Sequence, residues 1–337
     1  MATFDPTISI VLATHNGEAF LEKQLASLAG QTKRPLELVI SDDASGDRTR
    51  EIIRKFERTA PFPVIVNLND PGKGYRENFL SVTPLTRGDW IAFCDQDDIW
   101  YPAKLETCAT YMSIPGITQI AHQADLIDAS GEHVGLFDQG IRRTGVKRQL
   151  AYDVWQTFWG FSLLFDRRIL EVVRSDQRFI DYIDARHLIA HDRWVFFLAQ
   201  TLGHTVEIAE PLAGYRQHAN NLFGNGAASA RGKSTSDLRI ENRTYLTATT
   251  QMREIVQQIP TGVEKVFPLF DRARALEVYG HAIRQLQGRE RLYAGETWRS
   301  VIECFSMLLR GDYRNAQNSS IRWRSLARDL KAVLTVA

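Results

Sequence analysis

Three carboxylates, Asp95, Asp97 and Asp98, fall within four residues, directly behind the apolar run Trp90–Phe93. Like charges this close repel one another unless a cation lies among them. Asp95 and Asp97 are spaced i, i+2 where a strand gives way to a turn. They offer the hard oxygen donors that Mg²⁺ or Mn²⁺ takes, shared with substrate phosphates. The same residues also read as a solvated acidic loop with Asp98 as the N-cap of a following helix. Asp42 and Asp43 end another apolar run, where a carboxylate accepts from a pyrimidine N–H or a ribose hydroxyl. Ser45 and Asp47 behind them read as turn and capping residues. Arg76 and Asn78 follow Gly72-Lys73-Gly74 and open a helix, either in reach of a phosphate or sugar hydroxyl or as an exposed helix start. The aromatic segment Trp155, Phe158, Trp159 and Phe161 has the composition of a core, although aromatic faces also suit the apolar side of a sugar.

These groups need a scaffold that brings them together. The first hundred residues alternate strand and helix. Apolar strands are expected at Ile8–Ala13, Leu36–Ile40, Val64–Val66 and Trp90–Phe93. Helical spacing follows in Phe20, Leu21, Gln24, Leu25 and Leu28, again in Ile52, Ile53 and Phe56, and from about Tyr75 to Val82. That alternation predicts an α/β architecture with a parallel sheet covered on both faces, whose ligands gather at the carboxyl ends of strands. Each polar cluster sits at such an end. Further on, the pattern predicts a helix over Lys104–Met112, a strand near Gln119–Leu126 and a helix near Arg167–Arg174. A helix opening at His191-Asp192 and a strand pair at Val206–Ile208 and Ala213–Arg216 complete this region. The Gly/Ser/Ala-rich stretch 224–236 reads as a linker, and the chain beyond it as helical.

At 337 residues, 44% hydrophobic, 24% charged and net charge +1, the chain suits an ordinary globular protein and offers no basic domain to nucleic acid. No apolar run reaches the ~18–20 residues of a membrane span, and the N-terminus has no basic-then-apolar leader pattern. Cys94, Cys108 and Cys304 are odd in number and widely spaced, as expected of reduced thiols in a cytoplasm. A dinucleotide fold is disfavoured, because the first loop, Thr14-His15-Asn16-Gly17-Glu18, has a single glycine where Gly-x-Gly-x-x-Gly is required.

Taken together, Val11-Leu12-Ala13-Thr14-His15-Asn16-Gly17, Ser41-Asp42-Asp43-Ala44-Ser45-Gly46-Asp47, Phe93-Cys94-Asp95-Gln96-Asp97-Asp98-Ile99-Trp100, His191-Asp192 and Tyr215-Arg216-Gln217-His218 resemble family 2 inverting glycosyltransferases of GT-A fold. The bacterial rhamnosyltransferase-like members are the nearest in pattern, and the likeness spans roughly residues 7 to 223. The resemblance implies a GT-A catalytic domain over 1–223, with its nucleotide-binding half at about 1–100 and its acceptor half at about 101–223. A linker (224–236) and a helical C-terminal region (237–337) follow. It implies a UDP- or dTDP-linked sugar donor and a divalent metal, Mg²⁺ or Mn²⁺. Thr14, Asn16, Glu18 and Asp42 are then expected on the nucleotide, Asp95 on the ribose or donor sugar, and Asp97 on the metal. Asp192 matches the base position, where a helix N-terminus favours the ionised form. The alternative for Asp192 is a plain N-cap. His218 is a candidate further metal ligand or diphosphate donor, and Trp159-Gly160 sits where the family shapes its acceptor pocket. No Gln-x-x-Arg-Trp motif is present, so addition of one sugar, such as rhamnose, to a glycan or lipid-linked glycan is expected over processive synthesis. The competing expectation is a catalytically inactive nucleotide-sugar-binding subunit of a glycan assembly complex. Arg310–Ala337, with six basic and two acidic residues, puts Trp323, Leu326, Ala327, Leu330 and Val333 on one helical face. That face suits either a membrane surface at the inner side of the cell membrane or packing on the catalytic domain or a partner subunit.

Overall fold

The computed structural model describes residues 5–218, 234–294, 297–314 and 320–334. In chain order the elements are β1 (Ile8–Thr14), α1 (Leu21–Ala29), β2 (Glu37–Asp43), α2 (Thr49–Glu57), β3 (Val64–Asn69), α3 (Tyr75–Leu80), β4 (Trp90–Cys94) and β5 (Ile99–Trp100). Then come α4 (Lys104–Met112), β6 (Ile117–Ile127), β7 (His133–Phe137), β8 (Gly145–Lys147), β9 (Leu163–Asp166), α5 (Ile169–Val172), α6 (His191–Leu202) and β10 (His204–Arg216). The C-terminal helices are α7 (Thr235–Gln258), α8 (Arg272–Ala294), α9 (Thr297–Leu309) and α10 (Trp323–Leu334).

One sheet runs β3-β2-β1-β4-β9-β6-β10-β5, with β7 paired to β6 and β8 to β10. The first four strands are parallel, as the alternating pattern requires. β9 then enters antiparallel to both β4 and β6, so the far half of the sheet is mixed and not purely parallel. Strand alternation sorts the side chains onto two faces. Val11, Val39 and Phe93 point to a core shared with α3 and α6, while Ile10, Leu12, Leu38, Ile40 and Cys94 point to one shared with α1 and α4. Each fully buried side chain of this kind contributes roughly 1.5–3 kcal/mol by leaving water. That sum fixes the register, and the register places Thr14 opposite Asp42 and Leu12 opposite Cys94. The carboxyl ends of β1, β2 and β4 therefore open side by side.

Three sequence expectations change. The expected strand pair near the end of the sheet is one strand, β10, whose register against β6 shifts at Ile208/Pro211 and Pro211/Gly214. The expected helix at 167–174 shrinks to the single turn of α5. The expected linker falls mostly outside the described residues, and its last residues belong to α7. There the Ser234 hydroxyl accepts from the Asp237 N–H and the Asp237 carboxylate accepts from the Ser234 N–H, a reciprocal capping box.

The C-terminal helices are not a separate layer. Met252 and Val256 of α7 and Val278 and Tyr279 of α8 join the core of the sheet's α6 face. α9 and α10 close a smaller core of their own with α8, around Leu292, Tyr293, Met307 and Leu326. Within α10, Leu326 and Asp329 turn inward, with Asp329 2.9 Å from Arg289, while Trp323, Ala327 and Leu330 face solvent. The five residues expected on one apolar face are thus divided between bundle and surface, as far as they are described. Among the described residues, no helix is long and apolar enough to cross a membrane.

Candidate active site

The acidic segment is built in, not solvated. Asp98 is fully buried, and its Oδ1 accepts from the backbone N–H of Arg216 at 3.0 Å. It is therefore not an N-cap, and α4 begins only at Lys104. Burial first, then Asp97 and Asp95, holds the Asp98 carboxyl well above the ordinary carboxylate range. Burial, with Asp97 and then Asp192 close by, also pushes Asp95 up to about 7. Arg216 is the organiser of this loop. It too is fully buried; its Nε donates to the Asp97 carbonyl at 2.7 Å, and its Nη1 to the carbonyls of Asp128 and Ala129. Lys104 of α4 lies beneath, donating to the Phe161 carbonyl at 2.7 Å and standing 3.5 Å above the Trp100 ring centroid. Burial draws its ammonium down to about 8, while the nearby Asp98 and Asp95 hold the charge in place.

The Asp97 carboxylate meets His218, with Nε2 2.8 Å from Oδ2. Phe20 supports the imidazole from the side, its ring centroid 4.6 Å away. Among the described residues, no group of three or more His, Cys, Asp or Glu is arranged as a metal cage. Two donors nonetheless fit a divalent cation that keeps waters and takes phosphate oxygens for the rest of its shell. In this structure the two donors share a hydrogen bond, which a cation bound between them would replace.

The first loop is clamped to the acidic one through Gln96, whose Oε1 accepts from His15 N–H at 2.9 Å and whose Nε2 donates to His15 O at 3.0 Å. This explains Gly17: a Cβ there would lie 2.3 Å from Gln96 Oε1. The glycine admits a neighbouring side chain, not a pyrophosphate. His15 donates through Nδ1 to the Asp43 carbonyl at 2.6 Å, which leaves Nε2 to accept from Asn16 Nδ2. Asn16 has φ 49°, a left-handed conformation that Asn tolerates, and its Oδ1 accepts from Gly46 N–H. Glu18 accepts from the Arg48 backbone N–H at 3.0 Å.

Of the residues expected on the nucleotide, Asn16 and Glu18 are exposed, whereas Thr14 and Asp42 are buried. Asp42 accepts from Thr14 Oγ1, from Ser45 Oγ and from Arg50 Nε, and it lies below the ordinary carboxylate range. Burial opposes that shift, and the hydrogen bonds from Ser45 and Arg50 overcome it. Its observed role is to knit the strand ends. Asn78 departs from expectation more clearly. It is 2% exposed, donates to the carbonyls of Thr14 and Ser41, and accepts from Asn69, so its amide serves the scaffold. Arg76 pairs with Asp181 at 2.8 Å, and Asp181 also faces Arg193 at 3.6 Å.

Asp192 lies in the first turn of α6, beyond the N-cap Ala190, and its Oδ1 accepts from the Arg193 N–H. It retains exposure, and its charge is felt by Asp95. Gly160 flanks it: a Cβ there would stand 3.5 Å from Asp192 Cβ and 3.0 Å from His191 Nε2. Trp159, half-buried, sits edge-on to Phe137 at 5.4 Å. His191 is stacked on Phe79 at 4.0 Å and edge-on to Phe93 at 5.1 Å, and burial lowers it to about 4, so a neutral ring anchors α6 beside β4. The structure thus brings Asp95, Asp97, His218 and Asp192 to one rim. Gln96, Lys104 and Arg216 complete it, although only their positions inside or near motifs hinted at them.

Comparison with known proteins identifies the domain. The glycosyl transferase family 2 profile matches residues 9–174. An uncharacterized glycosyltransferase of Nostoc sp. is 28% identical over 245 residues, covering 69% of this chain and 72% of that protein. The dTDP-rhamnosyl transferase RfbG of Shigella flexneri is 28% identical over 221 residues, covering 63% and 73%. Among solved structures, S. aureus TarS residues 1–349 in complex with UDP superimposes with a TM-score of 0.55 at 14% identity, over 98% of this chain and 90% of that one. Carboxylates at the strand ends, a base candidate on a helix N-terminus and a matching domain profile lead to one assignment: the chain is a glycosyltransferase that carries a glycosyl transferase family 2 domain on a GT-A fold.

Proposed function

We propose that the enzyme transfers a single sugar, with inversion, from a UDP- or dTDP-linked donor to a hydroxyl of a glycan or lipid-linked glycan acceptor. The observation that carries this reading is the convergence of Asp95, Asp97–His218 and Asp192 on the rim formed by β1, β2 and β4. In it, Asn16 and Glu18 flank the nucleotide, and Thr14 and Asp42 hold the loop that receives it. Asp95 faces the ribose or donor sugar, Arg76 lies toward the diphosphate, and Asp97 with His218 would hold Mg²⁺ or Mn²⁺. A bound divalent cation neutralises charge that develops on the departing diphosphate. Asp192 takes the acceptor proton, and Trp159 with Gly160 borders the acceptor. Rhamnose is favoured as the sugar by the likeness to a protein named dTDP-rhamnosyl transferase. A panel of UDP-, dTDP- and GDP-sugars, screened by thermal shift with and without Mn²⁺, tests the reading. One class of donor is expected to raise Tm only with Mn²⁺, since ligand at about 100 times its Kd adds about 2.7 kcal/mol. No stabilisation by any nucleotide would refute it.

A lipid-linked acceptor is favoured by α9. Trp298, Ile302, Phe305 and Leu309 lie on one helical face and are 57–88% exposed, beside Arg299 and the basic helix α10. An apolar stripe with a basic surround suits the surface of an anionic bilayer. Replacing both Phe305 and Leu309 by Asp should lower co-sedimentation with phosphatidylglycerol vesicles by about tenfold while leaving donor binding unchanged. Equal sedimentation of wild type and variant would remove the membrane from the reading.

A further inference from the structure

A cavity of about 350 Å³ lies apart from the acidic rim, between the loop around Trp155 and helices α7, α8 and α10. Sites for small ligands start at about this size. Its walls combine the rings of Trp155, Tyr245 and Tyr293 with the polar groups of Asn242, Arg322 and Ser325, the Arg322 guanidinium lying 5.6 Å over the Trp155 ring. Asn242 is 5% exposed; its Nδ2 donates to the Leu286 carbonyl at 2.9 Å, and its Oδ1 has no donor among the described residues. A buried acceptor left unsatisfied costs about 1–3 kcal/mol, which a ligand hydroxyl would relieve.

The charges decide the class of ligand. Arg289 pairs with Asp329 at 2.9 Å, Arg322 pairs with Asp153, and Arg328 faces Asp329 at 3.5 Å. Glu241 adds another carboxylate to the wall. Arg289 and Arg328 share Asp329, and with Asp153 and Glu241 the three guanidiniums face three carboxylates, so the cavity offers no net positive charge to a phosphate. Matched ion pairs, a buried amide and aromatic faces together suit a neutral polyol, whose hydroxyls both donate and accept and whose C–H face lies on a ring.

The position connects this cavity to the reaction. Trp155 meets Tyr245 edge-on at 5.5 Å, and Tyr245 lies 4.8 Å from Tyr182. The Tyr182 hydroxyl donates to the Trp155 carbonyl, and the Arg193 guanidinium stands 5.0 Å over the Tyr182 ring. Arg193 follows Asp192 directly. An aromatic row therefore leads from the first turn of α6 into the cavity. We propose that this cavity binds carbohydrate of the acceptor at a distance from the reacting hydroxyl, separated from Asp192 by the packed Tyr182–Tyr245 pair. The proposal rests on the acceptor reading given above.

Filling the cavity from opposite walls tests it. Glu241→Trp on α7 and Gln156→Trp on the loop both replace residues that retain exposure, and neither touches the acidic rim. The full chain is saturated with UDP or dTDP and diamagnetic Mg²⁺ to block the donor site. Saturation-transfer NMR then follows a mixture of rhamnose, glucose, galactose, mannose and N-acetylglucosamine. The wild type is expected to give a signal from at least one sugar, and both variants to weaken it by about tenfold or more at unchanged Tm, a loss of about 1.4 kcal/mol. No signal in the wild type, or an equal signal in both variants, overturns the proposal, as does displacement of the sugar by inorganic phosphate. If one variant fails to fold, the variant on the opposite wall decides between these outcomes. A sugar signal that the variants lose, in a protein that binds no nucleotide, would retain the cavity as a carbohydrate site and reject the donor reading. Nucleotide binding without any sugar signal would do the opposite.

Discussion

Asp192→Asn is expected to lower kcat by about 10²- to 10⁴-fold while leaving donor affinity within about twofold of wild type. In the fold, the Asp192 carboxylate accepts a hydrogen bond from the Arg193 N–H, and an asparagine carbonyl oxygen accepts that bond equally well. The helix start therefore survives the change, and only the capacity to take a proton is lost. Loss of a general base corresponds to about 3–5 kcal/mol of transition-state stabilisation. The substitution also removes one of the charges that hold Asp95 high, so Asp95 should titrate lower in the variant than its value of about 7. Carbon-13 NMR of labelled aspartate reads this directly and separates a change in the shared site from a misfolded helix. Wild-type turnover in Asp192→Asn would assign the proton to another group.

The parts of this site that were legible in the sequence are those set by strand ends. Thr14, Asp42 and Asp95 each follow an apolar run, so a parallel register places them side by side before any contact is known. The residues that hold the rim in shape were not legible, because their partners are far away in sequence. Gln96 grips His15 across 81 positions, and Arg216 reaches Asp97 across 119. Lys104 left a faint trace: with Leu105, Cys108 and Met112 it lies on the buried stripe of α4, an improbable place for an ammonium without nearby carboxylates. Asn78 carries a role in the scaffold that was hidden for a related reason. A polar residue at a helix start suggests a ligand, yet its neighbours Phe79 and Leu80 bury that face, and its amide instead satisfies strand-end carbonyls. The antiparallel β9 was hidden because its residues Leu163–Asp166 continue an aromatic segment whose periodicity does not separate strand from core loop.

Asp97→Ala should abolish the Mn²⁺-dependent part of donor binding, a weakening of more than about 10²-fold, since even indirect support of a metal ligand is worth 10- to 100-fold. Its effect on the cation-free protein should run the other way. Asp97 raises both Asp95 and Asp98, so in the absence of a cation its charge opposes its neighbours. A carboxyl that titrates at about 7 in the fold and near 3.8 when unfolded binds more protons in the native state between those values. Cation-free stability therefore falls as pH rises from about 4 to 7, and levels off above that. Asp97→Ala should flatten this decline and match or exceed wild-type Tm at a pH of about 7.5. His218→Ala spares the carboxylate, so it should weaken Mn²⁺ dependence less than Asp97→Ala does. Titration calorimetry with donor, with and without Mn²⁺, measures the first effect, and thermal melts from about pH 4.5 to 8 the second. A residue serving only to hold the loop would lose stability on truncation and keep its Mn²⁺ response. Unaltered Mn²⁺ dependence in Asp97→Ala, whatever its Tm, would place any cation elsewhere.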